Sequence, residues 1–101
     1  MELIEQKREQ LADLCRQYRV QRLALFGSAL RDNFDSKNSD LDFLVEFEPL
    51  PARTYADTYF DLLEALQHLF ERPVDLVVES AIKNPYFQES IERNKALLYA
   101  A

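Results

Sequence analysis

Glycine, cysteine and histidine each occur once in this chain of 101 residues, and positive charge is in short supply. A lone cysteine, Cys15, can close no internal disulfide. Twelve basic residues against 18 acidic ones give a formal charge of −6, the wrong sign for binding a phosphate backbone by counterion release. Free nucleic acid is therefore disfavoured as a partner. A nucleotide stays admissible, because a bound divalent cation reverses the sign that carboxylates alone present to a triphosphate. No apolar run approaches the ~20 residues needed to cross a bilayer. Residues 1–7 hold no apolar signal core, so no membrane association is expected and the cytoplasm is the expected compartment. With no repeat, low-complexity tract or linker, the length suits one domain over residues 1–101.

The rest of the chain is strongly patterned. Ile4, Leu11, Leu14, Cys15 and Tyr18 recur at helical spacing and predict one amphipathic helix over residues 2–18, with Cys15 a small buried hydrophobe on its stripe. Residues 22–26 read as a buried strand that stops at Gly27, and a short helix is expected from about Ala29. Residues 41–48 alternate, placing Leu41, Phe43, Val45 and Phe47 on one side and Asp42, Leu44, Glu46 and Glu48 on the other. Thr54 and Asp57 fit a capping box for a helix whose buried stripe runs Tyr55, Tyr59, Leu62, Leu63, Leu66 and Phe70 and which Pro73 stops. Residues 74–78 form a third strand, and Asn84-Pro85 opens a last helix with Phe87 and Ile91 facing inward. Residues 96–101 suit helix, edge strand or frayed end. The expected class is α/β (α+β), a small sheet with helices packed on it, whose strand order the sequence leaves open.

The residues that carry chemistry lie mainly in the segment 27–42. The only glycine ends a strand and is followed by Ser28, so backbone N–H groups at that corner can receive a phosphate and Ser28 can add a hydroxyl. Read alone, Gly27-Ser28 better describes a tight turn followed by a helix cap than a phosphate site. Arg31 stands on the same turn, where it can meet a phosphate or pair with Asp32 or Asp35. Asp40 and Asp42 are two residues apart at the start of the alternating strand, so both carboxylates fall on one face and can share a hard cation such as Mg²⁺, although the pair alone better describes solvated aspartates at a strand entrance. Asp75 lies opposite Leu76 and Val78 as Asp42 lies opposite Phe43 and Val45. If their strands are neighbours, three carboxylates converge, which is unfavourable without a neutralising cation or proton.

The series Gly27-Ser28, Arg31, Ser39-Asp40-Leu41-Asp42 and Asp75 resembles the nucleotidyltransferase superfamily that includes DNA polymerase beta, and most of all its minimal nucleotidyltransferase proteins. The resemblance spans nearly the whole chain. It implies a mixed sheet with the active site at the strand ends. It also implies that Gly27, Ser28, Arg31 and Ser39 contact the nucleotide while Asp40, Asp42 and Asp75 are catalytic and bind Mg²⁺. Two metals would then clamp the α-phosphate for in-line attack. One departure is Asp32, which follows the arginine where the family often has glycine. Minimal proteins of this kind resemble the antitoxin of a HEPN toxin, which implies transfer of AMP from ATP to a tyrosine of that toxin. The alternative is an antitoxin that neutralises its toxin by binding and occlusion without catalysis.

Other features read more simply. His68, with Asp61 and Glu64 on its helical face, is expected to be solvated. Arg16, Arg19 and Arg22 form a local basic cluster, expected on a solvated face with a toxin contact as the lesser alternative. Tyr55 and Tyr59 are expected in the core, while Tyr86 and Tyr99 are candidates for partner contact.

Overall fold

The computed structural model describes residues 2–27 and 40–101. In chain order the described elements are α1 (Glu2–Gln6), α2 (Arg8–Gln17), β1 (Val20–Phe26), β2 (Leu41–Phe47), α3 (Ala52–Phe70), β3 (Val74–Val78), a 3-10 turn (Glu79–Ala81), α4 (Pro85–Asn94) and β4 (Ala96–Ala100). The strands form one sheet in the order β3-β2-β1-β4. β1 runs antiparallel to both β2 and β4, whereas β2 and β3 are parallel, with α3 as the crossover that a parallel pair requires. The mixed sheet expected of the chain is the one observed, and residues 96–100 take the edge-strand option.

Period-two alternation gives the sheet two different faces. Leu23, Leu25, Leu41, Phe43, Val45 and Leu76 point to the face covered by α1, α2 and α3, where they meet Ile4, Leu11, Cys15, Leu62, Leu66 and Phe70 in one buried core. Aromatic contacts extend it: Phe43 packs on Phe70 with ring centroids 5.8 Å apart, and Phe47 meets Tyr55 edge-on at 5.4 Å. Tyr59 belongs here too, its hydroxyl donating to the Leu76 carbonyl. Burial pushes the Cys15 thiol up to about 12, so it stays protonated and unreactive.

The opposite face carries a much smaller cluster. Ile91 of α4 covers Ala24 and Leu44, with Phe26, Val77 and Ile82 packed around them. Asn84 and Pro85 set the start of α4 as their types predict: the Asn84 side-chain oxygen accepts from the backbone N–H of Tyr86 at 2.9 Å and of Phe87 at 3.2 Å.

Three local expectations need correction. The first helix breaks at Lys7, whose ammonium donates to the Leu69 carbonyl at 2.5 Å, in the last turn of α3 where a cation complements the helix dipole. Thr54 does not cap α3. Pro51, extended at φ −57° and ψ 139°, already supplies the cap position, and the Thr54 hydroxyl donates back to its carbonyl at 3.1 Å. Phe87 is not a core residue but remains 46% exposed, leaving Ile91 to anchor α4. The arginines are exposed as expected, each beside a carboxylate: Arg16 pairs with Asp13, Arg19 with Glu48 and Arg22 with Glu79. His68 is exposed as expected, and the short helix expected from Ala29 lies outside the described residues.

Candidate active site

Strand register builds the site on the α4 face. Antiparallel pairing sets Phe26 opposite Asp42, and parallel pairing sets Asp42 beside Asp75. The three residues form one row across β1, β2 and β3, with adjacent strands about 4.8 Å apart. A backbone bond from the Leu41 N–H to the Pro73 carbonyl, 3.2 Å long, ties the starts of β2 and β3 together and so holds this register. The next row along the same face is Ala24, Leu44 and Val77, the apolar floor beneath Ile91. Beyond it lie Arg22 and Glu46, where Glu79 accepts from Arg22 and from Lys95, and Glu46 accepts from the Ser80 N–H at 3.0 Å. The face thus passes from carboxylates, through a dry middle, to a zone of ion pairs.

Gly27 borders the carboxylate row directly. Its φ is +75°, a conformation that side chains disfavour, and a Cβ added there would lie 3.1 Å from Asp42 Cγ and closer still to Oδ2. The lone glycine therefore has two reasons to be one: the left-handed turn that ends β1, and the space that the Asp42 carboxylate needs. Around Asp42 and Asp75 is a pocket of about 430 Å³, completed by Phe26, Val77, Ile82, Lys83, Asn84 and Phe87. That volume lies in the range of small-molecule sites. Strands supply its floor, and the segment leading into α4 supplies its roof.

Of the residues expected in the site, the structure brings together Gly27, Asp42 and Asp75. Asp40 is exposed one residue before β2 and is not among the residues lining this pocket. Ser28, Arg31 and Ser39 lie outside the described residues, and among the described residues no three His, Cys, Asp or Glu side chains gather as a metal group. The donor set that is present still suits a hard cation. Two carboxylates in register on neighbouring strands offer oxygen ligands only, and their mutual repulsion is relieved by positive charge between them. The negative charge of Asp75 reaches through the sheet. Burial raises the pKa of the Tyr59 phenol, and the Asp75 carboxylate raises it further.

Sequence reasoning missed Lys83, Ile82 and the pocket role of Phe26 and Phe87. No local signal marks them: residues 82–84 follow the Val78 end of β3, and only the folded chain returns them along the strand to Asp75 at its start. Among the described residues no helix is long and apolar enough to cross a membrane.

Comparison with known proteins extends this picture. The nucleotidyltransferase domain family matches residues 7–98. A Methanocaldococcus jannaschii protein, provisionally named a protein adenylyltransferase, is 43% identical over 77 residues, which is 76% of this chain and 74% of that one. A solved minimal nucleotidyltransferase superposes with a TM-score of 0.76 at 30% identity, covering 94% of this chain and 92% of the other. The complex of a tri-AMPylated Shewanella oneidensis HEPN toxin with its MNT antitoxin includes a chain of the same fold, with a TM-score of 0.65 at 19% identity and coverage of 96% and 72%.

Proposed function

The chain belongs to the nucleotidyltransferase family and is an enzyme of that class, and from this premise we propose that it transfers AMP from ATP to a tyrosine of a HEPN toxin, as that toxin's antitoxin in the cytoplasm. The observation that carries the proposal is the register pair of Asp42 and Asp75 beside Gly27, inside a pocket sized for a small molecule. The relative named as a protein adenylyltransferase and the neighbour bound to an AMPylated toxin point to the same acceptor class.

The proposed roles follow from position for the described residues and from the family resemblance for Ser28, Arg31 and Ser39. Gly27 and Ser28 receive the nucleotide's phosphates, and Arg31 and Ser39 are further nucleotide contacts. Asp42 and Asp75, joined by Asp40 at the mouth of β2, hold Mg²⁺. When bound, Mg²⁺ supplies positive charge against the α-phosphate oxygens. Asp75 also takes the phenolic proton. A bond forms between the phenol oxygen and the α-phosphorus, the bond from that phosphorus to the α–β bridging oxygen breaks, and pyrophosphate leaves on the far side.

The test is incubation with ATP, Mg²⁺ and the HEPN protein, followed by the intact mass of that protein. A gain of one or more AMP units that disappears in Asp42→Ala or with chelator supports transfer. Tight binding with no gain in mass overturns it in favour of neutralisation by occlusion.

A further inference from the structure

We infer that Phe87, with Val77 and Ile82, forms the seat for the acceptor's aromatic ring, and that Phe87 is a specificity-determining residue for a tyrosine acceptor; the inference rests on the transfer reading above. The order of strands supplies the direction of attack. In an in-line displacement the nucleophile and the leaving group stand on opposite sides of the phosphorus. With the phosphates at Gly27, at the end of β1, the leaving pyrophosphate lies on the β1 side and the hydroxyl must come from the β3 side. On that side stand Asp75 and Val77, two positions further along the same face of β3, and the segment that follows β3 passes over them into α4, whose Phe87 closes the pocket against Phe26 of β1.

That segment presents apolar surface where a soluble protein has little reason to keep it. Tyr86 is 82% exposed and Phe87 46% exposed, adjacent residues at the start of α4 and two of the four large hydrophobic residues that stand exposed among the described residues. Phe87 is nonetheless held in place. Its ring meets Phe26 edge-on, with centroids 6.4 Å apart and planes at 67°, and its backbone N–H is fixed by the Asn84 side chain. It therefore offers a positioned aromatic surface beside Val77 and Ile82, in the same pocket as Asp75. A phenol packed there has its ring in an apolar slot and its hydroxyl at the carboxylates. Serine or threonine would reach the carboxylates without filling the slot, so the wall selects for an aromatic acceptor. No ion pair among the described residues engages Lys83, whose ammonium at the pocket lining suits acidic residues flanking the acceptor tyrosine.

Two measurements test this. In steady-state transfer to the HEPN protein, Phe87→Ala should raise KM for the acceptor roughly tenfold, as expected for loss of an aromatic contact and its buried area, while KM for ATP stays within about twofold. Phe87→Trp should retain most of the wild-type value. A rise in KM for ATP alone would make the wall an adenine seat and overturn the inference, as would no change in either. Independently of transfer, N-acetyltyrosinamide titrated into the labelled wild-type chain should shift the NMR signals of Phe87, Val77 and Ile82, and Mg²⁺ with a non-hydrolysable ATP analogue should leave them largely in place. Absence of the tyrosinamide shifts overturns the seat even where AMP transfer occurs. Their presence in a chain that transfers nothing leaves the seat standing and defeats the transfer reading instead.

Discussion

The two faces of the sheet have nearly opposite composition. Among the described residues, the core under α1, α2 and α3 is continuous and contains no buried polar or charged residue, while under α4 only Ala24, Leu44 and Ile91 are buried and the same face carries Asp42, Asp75 and Glu46. One strand shows how both arise. β2 alternates Leu41, Phe43 and Val45 toward the helices with Asp42, Leu44 and Glu46 toward α4, so the residues that hold the fold and those that bear charge share a backbone without sharing an environment. Apolar burial on one side can position carboxylates on the other, where like charges would not assemble unaided.

The sharpest break of that contrast is a cavity on the helical side. Phe43→Ala removes a fully buried ring that packs on Phe70 and should cost about 3–5 kcal/mol of stability by urea unfolding. Asp42→Asn on the opposite face of the same strand should lower AMP transfer by roughly 100-fold or more, with a melting temperature close to wild type. A large loss of stability in Asp42→Asn would mean that the pair is structural and the two faces are not separable.

A smaller effect belongs to Cys15. Its thiol is raised from the ordinary value of 9.0 to about 12, chiefly by burial. The unfolded chain therefore releases this proton at lower pH than the folded one does. Stability from this group is intact below pH 9 and falls as pH rises toward 12. Urea unfolding at a series of pH values should show that decline, and Cys15→Val should flatten it; at neutral pH, alkylation of the native chain should wait for unfolding. The smallest change is at Glu71, which closes α3 at φ 54° in a chain whose single glycine is spent at Gly27. Glu71→Gly should stabilise by up to about 1 kcal/mol, read as a raised urea midpoint.

Much of the site was legible because its signals are local. The alternation of β2, the glycine that ends β1, and the Asn84-Pro85 start of α4 each act within a few residues, and each is found where the sequence puts it. Register was not legible. Whether Asp75 faces Asp42 depends on the Leu41–Pro73 backbone bond and on a crossover through 19 residues of α3, contacts that no local pattern encodes. Phe87 misled for a related reason: spacing put it on the inward stripe with Ile91, but of the two only Ile91 is buried against the sheet, while Phe87 meets Phe26 from the pocket rim and stays 46% exposed. At Thr54 the pattern of types suggested a cap that Pro51 had already made unnecessary.

The most direct test sets one residue from each face side by side. Asp42→Asn and Leu66→Ala, the latter a fully buried contact of the helical core, would be compared for melting temperature and for initial rate of AMP transfer well below either transition. The account predicts that Asp42→Asn loses transfer and keeps its melting temperature, while Leu66→Ala loses several degrees and keeps most of its rate. Equal transfer by Asp42→Asn and wild type, or rate and stability falling together in both variants, would contradict it.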